Sequence, residues 1–304
     1  MSDRFRVYLA YFLVCTIWGS TWLVIKIGLE TMTPLLAAGC RFSVASALLF
    51  TLIKVQGVKI PFDRSERIFY VVVALTSFSV PFGLVYWGEQ FIPSGLTSIV
   101  FSIYPFMVAL FAYLFLPNEK ITRWKISGIV LGFLGIIAIF SNDVHISSPN
   151  ASWGMAAILT SAILQAYSVI AIKKHGHAIH PFVITFVPML IGAVLLLTSS
   201  LLLEEYSSVV FTPTAILTIF YLGIFGSVAT FVSYFWLLKK VEAVILSLTS
   251  FITPIIAVIL GVVILGEPFS ARTFVGASFV LGGLAVSNYA EFVKYFSRKR
   301  RSAA

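Results

Sequence analysis

The sequence is short of charge. Only 11% of its 304 residues are Asp, Glu, Lys or Arg, and 59% are apolar. A water-soluble domain carries about 25% charged residues. So few cannot cover a water-facing surface, which excludes a soluble globular protein and points to an integral membrane protein. Cysteine is scarcer still. Cys15 and Cys40 both lie inside apolar runs, so no disulfide framework is expected. The dipeptide Gly-Lys occurs nowhere, so no Walker A phosphate cradle can form. No stretch outside the apolar runs is long enough to bind ATP, and no cofactor is implied. The net charge is +9, but the charges sit between apolar runs and not on one face, which argues against nucleic acid. His175, His177 and His180 are close in sequence, yet no Asp, Glu or Cys lies between Asp143 and Glu204 to complete a four-ligand zinc site. No metal is expected there. The apolar run from Val7 to Ile25 is longer than the core of a signal peptide, with no small-x-small site after it. It reads as an uncleaved first spanning helix.

What the chain does have, it writes twice. Pro105, an apolar run to Leu116, Asn118-Glu119, Trp124, Gly128, Gly132 and Gly135 are echoed by Pro254, a run to Leu265, Gly266-Glu267, Arg272, Gly276, Gly282 and Gly283. Glu119 and Glu267 are 148 positions apart, as are Gly128 and Gly276, Gly135 and Gly283, and Tyr86 and Tyr234. A repeat near half the chain length marks two copies of one module, here residues 1–146 and 147–304. A spanning helix needs about 20 mostly apolar residues. Uncharged runs predict ten, at 7–26, 35–55, 68–88, 95–116, 124–141, 153–172, 182–203, 214–238, 243–265 and 272–290. The loops test that count. Alternate loops hold all 21 Lys and Arg except Lys26, Arg41 and Arg272. Cytoplasmic loops are the ones enriched in Lys and Arg, so both termini are expected in the cytoplasm. Five spans per copy is an odd number, so the second copy must enter the membrane from the opposite side. The expected fold is an all-α membrane protein of ten transmembrane helices, an inverted repeat of two five-helix halves. Secondary transporters are often built this way, with the site near the midplane between the halves.

Several of these residues carry a family resemblance. Trp18-Gly19-Ser20-Thr21-Trp22 resembles the first-helix motif of the drug/metabolite transporter superfamily in its tandem EamA-domain form, and Arg41-Phe42 resembles the arginine of its second helix. Pro105, Leu116, Glu119, Gly128 and Gly135, with Pro254, Leu265, Glu267, Gly276 and Gly283, are similar to the ends of its two modules. Trp153-Gly154 through Tyr167 to Lys173-Lys174 is similar to the start of the second. The one departure is that residues 182–203 hold no charge, so Arg41 has no counterpart in the second copy. The resemblance implies a transporter, not an enzyme, and mostly export of amino acids and other small metabolites across the inner (plasma) membrane. An amino acid is the first expected cargo. A nucleotide-type metabolite or an amphipathic drug comes next, and a passive channel or facilitator stays open.

Ionisable groups inside a bilayer are costly, and so they are candidates for function. Lys26, Arg41 and Glu89 all fall toward the same membrane face. The simpler expectation for Lys26 and Glu89 is that they snorkel to the interface. Arg41 is deeper. It has two readings, a structural ion pair with Glu89 or Glu30, or a role in gating or substrate contact, since a guanidinium can grip a carboxylate with two parallel bonds. Glu89 is the candidate for coupling to a proton, because burial disfavours the charged form of a carboxyl. Helical spacing adds polar stripes: Trp18, Trp22 and Lys26; Tyr86 and Glu89; Ser98, Ser102 and Pro105; Ser161, Gln165 and Ser168; Ser227, Thr230 and Tyr234; Ser247, Ser250 and Pro254. Hydrogen bonding between helices accounts for any one of these serines. Six stripes converging suggest a wet central cavity. The substrate-binding candidates are therefore Trp18, Trp22, Arg41, Tyr86, Glu89, Ser98, Ser102, Gln165, Thr230, Tyr234 and Ser250. Pro105 and Pro254 are expected to kink their helices near the midplane. The glycine ladders allow close helix packing, with a homodimer interface as the other use. The expected partners are a small-molecule substrate, the lipid bilayer and a proton.

Overall fold

The structure, a computed structural model, describes residues 3–116, 122–140, 148–176, 179–238 and 249–301. Glu119, His177, Ser247 and the loop at 141–147 lie outside the described residues, as does the side chain of Ser250. The described chain is helical throughout. The helices, in chain order, are α1 (Asp3–Gly28), α2 (Pro34–Val55), α3 (Arg64–Glu89), α4 (Ser94–Phe115), α5 (Arg123–Phe140), α6 (Ala151–His175), α7 (Pro181–Leu203), α8 (Pro213–Gly223 continuing to Thr230–Leu238), α9 (Thr249–Leu265) and α10 (Ala271–Arg301). Seven described helices are long and apolar enough to cross a membrane, and large apolar side chains such as Phe12, Leu202 and Val263 face outward. With no water in the bilayer core, a helix satisfies its own backbone groups, and lipid tails accept those side chains. This is a multi-pass membrane protein.

Local signals place the helix ends. Pro34, Pro181 and Pro213 occupy first-turn positions, where the missing N–H costs nothing. Gly57 ends α2 at φ 63°, and the Val58 N–H bonds the Ile53 carbonyl at 3.0 Å, a Schellman stop that needs glycine. Two helices contain a π-helical turn at matching places, Ala74–Ser79 in α3 and Ile224–Ala229 in α8. Helix α4 is interrupted at residues 102–103, and Pro105 opens its second part. Pro105 therefore follows a break and does not bend a continuous helix, whereas Pro254 does sit inside α9.

Packing repeats itself with a shift of five helices. Helix α1 packs on α9 as α6 packs on α4. Helix α3 packs on α6 as α8 packs on α1, and α2 on α8 as α7 on α3. The remaining major contacts join repeat partners directly, α2 with α7, α4 with α9 and α5 with α10. The last is the closest crossing. A methyl added at Gly135 would meet the Gly276 carbonyl at 2.6 Å, and one at Gly283 would meet the Gly128 carbonyl at 2.6 Å. Rising numbers on α5 oppose falling numbers on α10, so these two helices run antiparallel. The glycine ladders are thus spent on each other inside one chain.

Candidate functional site

Arg41 is buried, 3% exposed, about two turns into α2. Its guanidinium reaches the π-helical turn of α8. Nε donates to Ser227 Oγ at 3.0 Å and Nη2 to the Gly226 carbonyl at 3.2 Å, while Nη1 lies 3.5 Å from the Tyr86 hydroxyl. The Gly226 carbonyl lies in that turn and accepts from Thr230 Oγ1 as well. The rings of Phe82 and Phe42 flank the cation at 5.0 and 5.5 Å. The expected ion pair with Glu89 or Glu30 is not made, and no described carboxylate bonds Arg41. In the second half the position 148 residues on is Met189, fully buried. One half supplies a charge where the other supplies a thioether.

Glu89 closes α3 on the same side as Lys26. Snorkelling fails for it, since Glu89 is 0% exposed and neither carboxyl oxygen has a hydrogen-bond partner. Lys26 does reach the helix end, but it spends its ammonium on backbone, donating to the carbonyls of Glu89 (2.6 Å), Ile92 (3.0 Å) and Gln90 (3.3 Å). A cation at a helix C-terminus is well placed for this. Two other acids on this face are fully used. Glu267 caps the start of α4, accepting from the N–H groups of Ser94 (2.7 Å) and Gly95 (3.0 Å) and from Ser94 Oγ (3.0 Å). Glu204 does the same for α2, accepting from Leu35 N (2.7 Å), Leu36 N (3.1 Å) and Ser200 Oγ (2.6 Å). Above Lys26 and Glu267 opens a pocket of about 390 Å³, lined by the α3–α4 and α9–α10 turns.

Beneath that pocket the helices enclose an aromatic cluster. Trp18 packs on Tyr234 and Phe231, with centroids 5.2 and 5.7 Å apart. Trp22 packs on Phe101 at 5.2 Å, and Phe101 stacks on Tyr104. Phe78 closes the set against Phe231 at 6.1 Å. So α1 carries two aromatic groups one turn apart, Trp18 with Tyr234 and Trp22 with Phe101, and Phe78 joins the first to Phe42 beside Arg41. The hydroxyl stripes behave differently. Ser98 Oγ donates to the Gly95 carbonyl, Ser102 to Ser98, and Thr230 to Gly226, each on its own helix. Gln165 bonds Ser161 on α6 at 3.1 Å. Each of these donors is used locally, while the hydroxyl lone pairs and the Gln165 amide oxygen stay open to a ligand. Phe82, Phe101, Tyr104 and Phe231 were not legible as site residues, because Phe and Tyr are abundant in this sequence and lack a charge to mark them. His180 caps α7, its Nδ1 accepting from Phe182 N at 3.2 Å.

Comparison with known proteins agrees with this architecture. Residues 5–141 and 152–289 each match the EamA-like transporter family. The chain is similar to the uncharacterized transporter YoaV of Bacillus subtilis, 27% identical over 97% of this chain and 99% of that one. It is similar to protein PagO of Salmonella typhimurium, 28% identical over 89% and 88%, and to the uncharacterized inner membrane transporter YedA of Escherichia coli, 30% identical over 88% and 87%. A solved crystal structure shares the fold with a TM-score of 0.68 at 18% identity, covering 93% of this chain and 96% of that one. Two tandem family matches spanning nearly all of the sequence leave one conclusion: the chain belongs to the EamA-like transporter family.

Proposed function

We propose that the protein is a secondary transporter that moves a small metabolite, an amino acid first, out of the cytoplasm by alternating access. Its ten helices would form two five-helix halves inverted in the inner membrane, with both termini cytoplasmic. The antiparallel crossing of the repeat partners α5 and α10 supports that inversion. The observation that carries the functional reading is the buried, acid-free Arg41 beside aromatic groups drawn from α1, α3, α4 and α8. A guanidinium recognises a carboxylate through two parallel bonds, and aromatic faces accept an apolar side chain. A proton is the proposed coupling ion, with Glu89 in the path.

Two measurements test this. Purified protein in liposomes should give saturable counterflow with one member of an amino-acid panel, and that member should raise its melting temperature, since a ligand bound only by the folded form stabilises it. Flux that never saturates and shows no counterflow would make it a channel. For the inversion, a membrane-impermeant thiol reagent on intact cells should label Asn142→Cys and should reach Lys174→Cys only after permeabilisation. Labelling of both from one face would overturn the arrangement.

A further inference from the structure

Glu89, Glu204 and Glu267, three of the carboxyls at these helix ends, differ in one respect. Glu204 and Glu267 are saturated by backbone N–H and serine hydroxyl donors. Glu89 is wholly buried and receives nothing. Cations are near it all the same. The charged groups that face it are Lys26 from α1, Arg41 from α2 and Glu267 from the α9–α10 turn, with Tyr86 the other titratable neighbour on its own helix. Neither cation bonds it: Lys26 donates to three backbone carbonyls, and Arg41 gives three of its five N–H groups to Ser227, Gly226 and Tyr86. An ionised carboxylate buried without donors is costly. The protein places this one among cations and then withholds their hydrogen bonds.

The geometry points to Glu89 as a single exchange site that holds either a proton or the ammonium group of the cargo, never both. This rests on the transporter reading and narrows it, since the cargo class becomes primary amines. A substrate carboxylate would go to the spare N–H groups of Arg41, and Tyr86 stands between the two charges. The exchange balances without a redox partner. The carboxylic O–H bond breaks, its proton passes to water on the open side, and the carboxylate accepts N–H bonds from the ammonium. Each amine bound expels one proton, so an amine moving out is tied to a proton moving in.

The test uses the full-length protein with phenylalanine, phenethylamine and 3-phenylpropionate as probes, their ring chosen for the aromatic groups. Calorimetry in two buffers of different ionisation heat counts the protons released on binding. Wild type should release about one proton per phenylalanine or phenethylamine bound, and none with 3-phenylpropionate. Glu89→Gln should abolish the release, and Glu89→Asp, which keeps the carboxyl, should retain it. Independently of any ligand, the acid-minus-alkaline infrared spectrum of wild type should show a protonated carboxyl band that Glu89→Gln lacks. Amine binding without proton release overturns the proposal, as does release that survives in Glu89→Gln. Saturable counterflow of some other metabolite with no binding of either amine would overturn it too, while leaving the transporter reading intact. No counterflow with any metabolite removes the transporter reading, and the infrared band then decides the proton site alone.

Discussion

Gly128→Leu should leave little folded protein, while Gly282→Ala should slightly stabilise it. The two glycines belong to the same pair of ladders, but their surroundings differ. A methyl at Gly128 would collide with the Gly283 carbonyl and lie 2.7 Å from the Ser287 backbone nitrogen. Backbone cannot swing aside as a side chain can, so α5 and α10 would have to separate. Overpacking of this kind costs about 3 kcal/mol, a large part of a typical folding free energy of about 5–15 kcal/mol. At Gly282 a methyl meets only Leu131 Cδ2, at 3.8 Å. There alanine recovers about 0.5–1 kcal/mol of helix propensity. Melting temperatures of detergent-purified variants check both. The 148-residue repeat adds a sharper condition. Gly128 on Gly283 is the image of Gly276 on Gly135, so Gly128→Ala and Gly276→Ala should be similarly damaging. A neutral Gly128→Ala would mean that this crossing does not hold the halves together.

The same contrast shows how much of the fold was legible. The glycine spacing announced close helix contact, because only small residues let backbones approach in lipid. It did not say which glycine faced the partner, since that depends on helix rotation, and rotation is set by packing far along the chain. The apolar runs located the helices well, because the bilayer dictates both length and composition. The two π-helical turns had no signal at all. Nothing in Ala74–Ser79 or Ile224–Ala229 breaks a helical pattern, yet one of them supplies the oxygen that holds Arg41. The charged members of the site were found because charge is rare here. Glu89 was found but misplaced, because hydropathy gives depth along a helix and cannot say whether the last residue turns out to water or in under the α3–α4 turn. The hydroxyl stripes pointed inward correctly for Ser98, Ser102 and Thr230, all buried. Their bonds go to their own helices, an option that any serine or threonine in a helix has.

Arg41→Met should keep the fold and lose transport by about 100-fold or more, the size of effect expected when a bidentate contact of several kcal/mol disappears. The neighbours of Arg41 do not need it. Ser227 Oγ also donates to the Leu222 carbonyl at 3.0 Å, and the Gly226 carbonyl also accepts from Thr230 Oγ1 at 2.9 Å. Removing the guanidinium therefore leaves both with a partner; the long contact to Tyr86 is lost, and the Phe42 and Phe82 rings meet a methionine in place of the cation. Replacing a buried charge by an apolar side chain of similar volume is often neutral or stabilising, and methionine is what the second half carries at the matching position, Met189. The melting temperature of Arg41→Met should thus hold or rise while counterflow vanishes. Arg41→Lys should fail as well. An ammonium is a point charge and cannot span Ser227, Gly226 and a ligand carboxylate with one planar fork. A structural arginine gives the opposite pattern, in which stability falls and transport by the surviving folded protein does not. Stability and counterflow measured on the same preparations separate the two, and normal transport by Arg41→Met would remove Arg41 from the site.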